Sequence, residues 1–349
     1  MSGLGSLKRA RILVTGGTGS FGQRFVAEIL QSDFAGEVIV FSRDEFKQHE
    51  MARRWPVSSY PIRYFLGDVR DKDRLMRAFK GVEYVVHAAA LKQVPALEDN
   101  PFEAVRTNIL GAENVIEAAL ERDVHRVVAI STDKAVNPVN LYGATKLAME
   151  RLVVAANAYV RYRDVRFSVV RYGNVVGSRG SVLALYAQLL AEGSRELPVT
   201  DASMTRFWIT LHRGVALVLQ ALGEAQGGEI FVPKIPSMSV QGLLDAMPVA
   251  CSTRVIGRRP GEKVHETLFN EQEGTRTIDC GSFYVILPEG AQELYAAWTA
   301  RGAAVSSGFA YQSDTNDQWV STEAMREMVL ALTPQPERTS SVTGVPTAP

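Results

Sequence analysis

The stretch Arg11-Ile12-Leu13-Val14-Thr15-Gly16-Gly17-Thr18-Gly19-Ser20-Phe21-Gly22 decides the fold that this sequence predicts. Its first four residues are typical of a short strand, and an amphipathic helical pattern follows the last glycine as far as Leu30. Gly17, Gly19 and Gly22 fit the spacing G-x-G-x-x-G. Between a strand and a helix, such glycines let a pyrophosphate approach the main chain at the helix N-terminus. The stretch therefore favours a dinucleotide-binding unit over a glycine-rich turn that binds no ligand.

Strand and helix patterns keep alternating beyond this unit. Strands are predicted for residues 37–41, 63–66, 84–87, 126–131 and 166–171, and helices for 71–79, 101–122 and 147–162. This alternation predicts an α/β fold built on a doubly wound parallel sheet of the Rossmann type. Ligands bind such a sheet at the carboxyl ends of its strands, where we expect the glycine loop, Asp68, Ala88 and Thr132 to converge.

The end of the second predicted strand holds the residues that distinguish NAD from NADP. An acidic side chain about 20 residues beyond the glycines would bind the adenosine ribose of NAD. Here Ser42 and Arg43, with Lys47 one turn later, better suit a 2′-phosphate. The sequence thus predicts NADP as the cofactor, and Asp44 keeps NAD open as the alternative.

A tyrosine and a lysine near the start of the predicted helix 147–162 supply a candidate for proton transfer. Tyr142 and Lys146 are four residues apart, so a helix would place both on one face. An ammonium near a phenol favours the phenolate, and we expect Lys146 to lower the pKa of Tyr142. The alternative is a half-buried tyrosine beside a surface lysine. Thr132, Asp133 and Lys134, just upstream, favour the catalytic interpretation.

The pattern changes after residue 175. Helices are predicted for 183–192 and 213–222, with short strands at 229–232, 254–257 and 284–287. We expect an NADP-binding domain over residues 1–175, to which some later segments return, and a smaller mixed α/β substrate-binding part over 176–333. Residues 334–349 are rich in proline, serine and threonine, a composition typical of a disordered tail.

Composition excludes several classes of protein. The chain has 349 residues, 46% of them hydrophobic, and Lys plus Arg balance Asp plus Glu at 38 each, so no overall charge attracts nucleic acid. Cys251 and Cys280 alone cannot form a disulfide framework. The five histidines have no metal-ligand spacing.

No secretory leader or membrane-spanning run is evident, and we expect a cytoplasmic homo-oligomer with no membrane partner.

Longer blocks of sequence carry a family resemblance. The blocks are FSRDEFK (41–47), GDVRD (67–71), HAAALKQVP (87–95), STDKA (131–135), RYGNVVGSRGSV (171–182), MTRFWIT (204–210) and RPGEKVHE (259–266). With the glycine loop and the Tyr-Lys pair, the chain resembles an extended short-chain dehydrogenase/reductase. Within that group it is most similar to the inverting UDP-N-acetylglucosamine 4,6-dehydratases that open pseudaminic acid synthesis.

The resemblance implies a reaction on UDP-N-acetylglucosamine. Tyr142, assisted by Lys146 and Thr132, would take the proton of the 4-hydroxyl while NADP⁺ accepts the C4 hydride. Lys134 would then remove the C5 proton as Asp133 protonates the departing 6-hydroxyl, and the hydride would return to C6 with inversion at C5. Retaining dehydratases have a glutamate at the position of Lys134. A base must be neutral part of the time, so we expect the pKa of Lys134 to lie well below its usual 10.4.

The resemblance also implies the binding residues. The expected cofactor contacts are Gly16, Thr18, Gly19, Ser20, Phe21, Gly22, Ser42, Arg43, Lys47, Asp68, Val69, Ala88, Lys92, Tyr142, Lys146 and Val175. The expected substrate contacts are Lys92, Asn174, Arg179, Gly180, Ser181, Val182, Met204, Arg206, Arg258 and Glu262. Among these, Arg206 and Arg258 suit the diphosphate, and Glu262 suits ribose hydroxyls.

Other functions remain open on the same residues. A UDP-sugar 4-epimerase shares the glycine loop and the Tyr-Lys pair but does not need Asp133 and Lys134. A dehydratase that retains the C5 configuration is a second alternative. A non-catalytic NADP-binding regulator is the alternative from another class, although such proteins typically lose the tyrosine or the lysine that this chain keeps.

Overall fold

The computed structural model describes residues 7–32, 34, 36–160 and 164–332. Most strands contribute to one large sheet. The strands are β1 (Arg11–Thr15), β2 (Glu37–Ser42), β3 (Ile62–Leu66), β4 (Tyr84–His87), β5 (Arg126–Thr132), β6 (Arg166–Tyr172), β7 (Asn174–Val175), β8 (Glu196–Val199), β9 (Thr205–Ile209), β10 (Ile230–Pro233), β11 (Ser237–Ser239), β12 (Ser252–Val255), β13 (Thr267–Phe269), β14 (Thr277–Asp279), β15 (Phe283–Ile286), β16 (Ala303–Ala304) and β17 (Tyr311–Gln312).

The large sheet has the order β3-β2-β1-β4-β5-β6-β10-β15-β14-β16. The strands from β3 to β10 are parallel, and β15, β14 and β16 form an antiparallel edge. Strand order reverses at β1, which pairs with β2 on one side and with β4 on the other. A parallel sheet opens a crevice at such a reversal, beyond the carboxyl ends of the strands. The predicted doubly wound α/β fold is confirmed.

Helices cover the sheet and place the residues that follow each strand. They are α1 (Ser20–Leu30), α2 (Glu45–Arg54), α3 (Lys72–Ala78), α4 (Val94–Asp99), α5 (Pro101–Ala104), α6 (Gly111–Glu121), α7 (Leu141–Ala155), α8 (Val182–Ala191), α9 (Leu211–Glu224), α10 (Val240–Asp245), α11 (Glu271–Gly274), α12 (Gln292–Thr299) and α13 (Thr322–Leu332). Helix α1 packs beside α9, and α6 lies between α3 and α7. No helix in the described ranges is long and apolar enough to cross a membrane.

The helix predicted for 101–122 is interrupted. Between α5 and α6 the chain forms a π-helical segment, Val105–Leu110. There the buried Asn108 accepts a hydrogen bond from Leu91 N at 2.8 Å and donates to Leu91 O at 2.9 Å and to Thr145 Oγ1 at 3.0 Å. These bonds join the loop after β4 to helix α7. Such π segments are common near functional sites.

Helix α7 begins earlier than the predicted 147–162. Asn140 caps it by accepting a hydrogen bond from Gly143 N at 2.8 Å, and the helix then runs from Leu141 to Ala155. A short polar side chain before the first turn satisfies an N–H group that the helix leaves free. Tyr142 and Lys146 therefore lie within the helix rather than ahead of it. Residues 161 and 162, at the end of the predicted range, lie outside the described residues.

The chain beyond residue 175 divides between two cores. Strands β10, β14, β15 and β16 join the large sheet, and their buried side chains extend its core. Helices α8, α10 and α13 enclose a second apolar cluster that includes Leu183, Trp208 and Met325. The strand predicted for 254–257 lies two residues earlier, as β12, and Gly257, with a φ of +78°, follows its end. The predicted tail at 334–349 lies outside the described residues.

Candidate active site

The glycines of the loop let segments of main chain pack closely against one another. Gly16 has a φ of +65°, and a Cβ there would lie 2.8 Å from the main chain of Ala89. A Cβ at Gly22 would lie 2.5 Å from the main chain of Gly17, so this glycine lets α1 pack against the loop. Gly19 precedes α1 without a side-chain cap. The free N–H groups of the first turn therefore suit a pyrophosphate, and the loop fits a dinucleotide.

A smaller cavity of about 250 Å³ lies between the glycine loop and the end of β2. Its walls include Gly16, Thr18, Gly19, Ser42, Arg43, Lys47, Asp68, Val69 and Ala88 from the predicted cofactor set. Arg43 is about half exposed, and its guanidinium lies 3.7 Å from Asp68 Oδ2. Asp44 caps α2 by accepting from Lys47 N at 3.0 Å, and its carboxylate also pairs with the Lys47 ammonium. Asp44 thus already has a cationic partner.

A larger cavity of about 1050 Å³ adjoins it and opens over the carboxyl ends of β5 and β6. Predicted residues on its walls are Ser20, Phe21, Ala88, Lys92, Thr132, Lys134, Tyr142, Lys146, Asn174, Val175, Arg179, Gly180, Ser181, Val182, Met204, Arg206 and Glu262. The volume suits a ligand larger than a typical drug. The structure therefore brings the Tyr-Lys pair, the Asp133-Lys134 turn and the predicted substrate residues other than Arg258 around one space.

Strand β5 ends at Thr132, and the chain then forms a 3-10 turn, Asp133–Ala135. The Thr132 hydroxyl donates to Asp133 Oδ1 at 2.8 Å and accepts from Lys134 N at 3.4 Å. Lys134 Nζ lies 3.0 Å from Asp133 Oδ1 and 3.1 Å from Glu266 Oε1, and it also donates to Asn174 Oδ1 at 3.3 Å. A lysine at the cavity wall is thus held between two buried carboxylates.

The expected pKa of Lys134 is wrong in direction. Burial by itself lowers the pKa of this ammonium, but the charges of Asp133 and Glu266 outweigh burial and raise it above its usual value. The sequence could not show this, because Glu266 lies far along the chain. In this structure Lys134 is an ammonium.

Asp133 is buried, unlike an ordinary surface aspartate. Its side chain is fully buried, and burial raises its pKa despite the nearby Lys134 ammonium. Its Oδ2 is buried with no hydrogen-bond partner within the described structure. A carboxyl with a raised pKa can carry a proton near neutral pH, as a general acid must.

The pKa of Tyr142 also differs from the one expected from its pairing with Lys146. Burial raises the pKa of Tyr142 to about 12, while the nearby Lys134 charge and a hydrogen bond with Thr132 act against that rise. Burial lowers the pKa of Lys146 to about 8, and its Nζ donates to Ile130 O at 2.5 Å. Lys146 therefore does not lower the phenol pKa as expected. Lys134 and Thr132 are the groups that favour the phenolate.

Some predicted substrate residues have protein partners. Arg179 donates to Thr18 O at 2.6 Å, which joins the loop before α8 to the glycine loop. The Arg206 guanidinium donates to the carbonyls of Thr205, Val264 and Lys263 at 2.7, 3.0 and 3.1 Å. Arg258 lies 3.7 Å from Asp201 and is not among the cavity-lining residues, whereas its neighbour Arg259 is. Burial lowers the pKa of Lys92.

Sequence reasoning missed Glu266 as a residue of the site. The glutamate lies on the cavity wall, directly before β13, which packs against the 133–135 turn. It closes the block RPGEKVHE, so the residue was visible in a motif, but no spacing rule connects it with Lys134. The same block supplies Lys263, whose Nζ lies 4.0 Å from Glu266 Oε2.

The sheet order, the glycine cradle and the Tyr-Lys pair on α7 define a Rossmann-type protein of the extended short-chain dehydrogenase/reductase class. The sequence profile of the polysaccharide biosynthesis protein family matches residues 12–288. The chain belongs to this family.

Two relatives cover nearly the whole chain. An inverting UDP-N-acetylglucosamine 4,6-dehydratase from Campylobacter jejuni is 48% identical over 91% of this chain and 96% of its own. A UDP-glucose 4-epimerase from Rickettsia canadensis is 39% identical over 92% of this chain and 95% of its own. The resemblance drawn from the sequence blocks is thereby confirmed.

Solved structures agree with the fold. Pen from Bacillus thuringiensis has a TM-score of 0.84 at 36% identity and covers 93% of this chain and 98% of its own. A dTDP-glucose 4,6-dehydratase from Streptomyces venezuelae, solved with NAD and TYD bound, has a TM-score of 0.65 at 26% identity. This second match covers 73% of the present chain and 86% of its own.

Proposed function

We propose that the protein is an NADP-dependent UDP-N-acetylglucosamine 4,6-dehydratase that inverts C5. The observation that carries the proposal is the cluster of Lys134 between Asp133 and Glu266 on the cavity wall that Tyr142 shares. A reaction at C4 alone needs the tyrosine, whereas loss of water across C5 and C6 needs a further acid and base. The product would be a 6-deoxy-4-keto sugar nucleotide of the kind that opens pseudaminic acid synthesis.

The cofactor proposal rests on the two cavities. The glycine loop and the first turn of α1 would hold the pyrophosphate, and the residues at the end of β2 would hold the adenosine half. Arg43 lies at that end with its guanidinium about half exposed, and Asp44 is paired with Lys47, which favours NADP over NAD. When bound, the nicotinamide supplies the acceptor and donor of the C4 hydride. Titration with both dinucleotides tests this, and equal affinities would contradict it.

The protein's own residues then divide the proton transfers. Tyr142 takes the proton of the 4-hydroxyl, with Thr132 hydrogen-bonded beside it. Asp133, whose pKa is raised by burial, gives a proton to the departing 6-hydroxyl. Lys134 removes the proton from C5. The buried Lys146 orients α7 against Ile130 at the end of β5.

A UDP-sugar 4-epimerase is the second candidate, since the Rickettsia canadensis relative carries that name. An epimerase inverts C4 and keeps the 6-hydroxyl, so the buried acid Asp133 would have no proton to deliver. The lysine between two carboxylates would likewise have no substrate bond to act on. These two groups favour the dehydratase over the epimerase.

One experiment distinguishes these candidates. Purified protein with NADP and UDP-N-acetylglucosamine in deuterated water is followed by proton NMR. The dehydratase produces a C6 methyl signal and deuterium at C5. The couplings among the protons on C1, C2 and C3 follow the ring conformation and thereby report the C5 configuration. A C4 epimer without a methyl signal would identify the epimerase. A methyl signal with the original C5 configuration would identify a retaining dehydratase.

A further inference from the structure

Glu266 is a carboxylate of the larger cavity to which the proton transfers proposed above assign no step. Its side chain is 3% exposed, and its Oε2 is buried with no hydrogen-bond partner in the described structure. Its main chain is fixed by Ser313, whose Oγ accepts from Glu266 N at 2.9 Å and whose N donates to Glu266 O at 2.9 Å. A buried oxygen without a partner is unfavourable for folding. A buried oxygen without a partner at the wall of a ligand-sized cavity is typical of a group that takes part in a reaction.

The charged groups around Glu266 and Lys134 come from several elements. Lys134 is next to Asp133 at 3.0 Å, and Tyr142 of α7 lies near both. Glu266 lies 3.9 Å from Arg206 of β9 and 4.0 Å from Lys263. Burial would raise the pKa of Glu266, but Lys134, Arg206 and Lys263 outweigh it and lower that pKa. Before substrate binds, the pair is therefore an ammonium and a carboxylate.

An ammonium cannot remove hydrogen from carbon, so Lys134 must first lose a proton. Glu266 Oε1 is 3.1 Å from Lys134 Nζ, which is hydrogen-bond distance. Only about a quarter of the Lys134 side chain is exposed, on the cavity side. A sugar lying there would displace the remaining water, and loss of water penalises the charged forms of both groups. Proton transfer between them would leave two neutral groups.

We propose that Glu266 takes the ammonium proton of Lys134, so that the neutral amine can remove the hydrogen from C5 of the sugar. This inference rests on the dehydratase function proposed above. It makes Glu266 a positioning and proton-holding residue, since it acts through Lys134 and not on the substrate.

Protons and electron pairs balance in the proposed loss of water. One proton moves from Lys134 Nζ to Glu266 Oε1. The C5–H bond then breaks as a new N–H bond forms, and its electron pair makes the C5–C6 double bond while the C6–O bond breaks. Asp133, which must start as the neutral acid, gives its proton to the departing oxygen, which leaves as water, and Asp133 becomes a carboxylate. The three side chains carry the same total charge before and after, so loss of water needs no proton from solvent.

The variant Glu266→Gln tests the proposal, because an amide can accept a hydrogen bond from Lys134 but cannot hold its proton. In single turnovers in deuterated water we expect deuterium incorporation at C5 to fall about 10²-fold at neutral pH. Lys134 would then lose its proton to solvent. The ratio of the variant rate to the wild-type rate should therefore rise about tenfold per pH unit between about pH 6 and 8.

Two control variants separate this effect from damage to the fold. Glu266→Asp keeps a carboxylate, and we expect it to recover part of the C5 exchange with a flat rate ratio across the same pH range. Glu224→Gln removes a carboxylate that pairs with Arg301 outside the cavity, and it should behave as wild type. In every variant, formation of the 4-keto sugar should persist, since Tyr142 is unchanged.

A second readout does not depend on turnover. Acylation of Lys134 by an amine-directed reagent, followed by mass spectrometry across pH, reports the fraction of neutral amine. Removing the charge of Glu266 should shift this reaction to lower pH. An unshifted profile would show that the two groups are not coupled.

The outcomes that overturn the inference are distinct from failure of the proposed function. If wild type forms no 6-deoxy-4-keto sugar, the function itself is wrong. If wild type forms it and Glu266→Gln exchanges C5 hydrogen at the wild-type rate or faster at neutral pH, Glu266 only raises the pKa of Lys134 and takes no proton. A rate ratio that stays flat across pH would also overturn the proposal.

Discussion

Two buried clusters in this protein have the same composition, one cation between two carboxylates, but different surroundings. In the first, Arg171 of β6 lies between Glu150 of α7 and Glu273 of α11. In the second, Lys134 lies between Asp133 and Glu266 at the wall of the larger cavity. The first is closed within the core and the second faces a ligand-sized space.

The two clusters also differ in how completely their polar groups are hydrogen-bonded. Arg171 donates to both oxygens of Glu150 at 2.9 and 2.6 Å, to both oxygens of Glu273 at 2.9 Å, and to Leu268 O at 2.8 Å. Every N–H of the guanidinium is used. Around Lys134, by contrast, Asp133 Oδ2 and Glu266 Oε2 are buried without partners in the described structure.

Under the proposed function, this difference distinguishes a structural charge cluster from a reactive one. A guanidinium does not lose its proton in proteins, and complete hydrogen bonding fixes its geometry. A lysine can lose its proton, and unpaired carboxylate oxygens can receive one. We therefore assign the Arg171 cluster to holding β6, α7 and α11 together and the Lys134 cluster to chemistry.

The largest expected effect is that of Lys134→Arg, which makes the second cluster resemble the first. Arginine keeps the positive charge between Asp133 and Glu266 but cannot act as a base. We expect deuterium incorporation at C5 to fall about 10²- to 10⁴-fold, while the 4-keto sugar still forms in a single turnover. Wild-type exchange at C5 in this variant would show that the base lies elsewhere, with Asp133 the next candidate.

Arg171→Met should have the next largest effect, on stability. It leaves Glu150 and Glu273 buried without their cation. Breaking a buried ion pair in this way typically destabilises a protein by about 3–5 kcal/mol. Urea unfolding measures the change, with Arg254→Met, which removes an exposed ion pair with Glu196, as the matched control. A loss no larger than that of the control would contradict the structural assignment.

Arg171→Lys makes the first cluster resemble the second in its cation. The ammonium keeps the charge but has fewer donors than the guanidinium, so some carboxylate oxygens lose their partners. We expect a stability loss of about 1–3 kcal/mol, with the rate of 6-deoxy product formation unchanged. A fall in that rate without a fall in stability would place Arg171 in the catalytic machinery.

The smallest expected effect is the pH dependence of the stability loss that Arg171→Met causes. In wild type, Arg171 outweighs burial and lowers the pKa of Glu273 below its usual 4.5. That contribution to stability is therefore present above about pH 4.5 and is lost as pH falls through the folded-state pKa. Without Arg171, burial raises the Glu273 pKa above 4.5, so the variant gains stability as pH falls through that raised pKa.

The measurement is urea unfolding of both proteins between about pH 7 and 4.5. We expect the stability loss caused by Arg171→Met to shrink over this range by about 1.4 kcal/mol for each unit by which the Glu273 pKa of the variant exceeds 4.5. A deficit that stays constant over this range would show that Glu273 is not the group left unpaired.

Local rules in the sequence determined much of the fold and half of the site. The strand and the glycine spacing of residues 11–22 predict close packing that only glycine allows, and a Cβ at Gly17 or Gly22 would indeed meet neighbouring atoms at 3.0 Å or less. The Tyr142-Lys146 spacing places both side chains on one helix because helical periodicity is local. Alternation of strands and helices likewise indicated the parallel sheet.

Tertiary structure decided what those residues can do. The pKa of Lys134 depends on Glu266, which follows it by 132 positions in sequence yet lies 3.1 Å away. The onset of α7 depends on the cap at Asn140, and the pKa of Tyr142 depends on how deeply the helix is buried. Charge and burial act through space, so the sequence indicated the candidate reactive side chains, whereas only the folded chain set their pKa values.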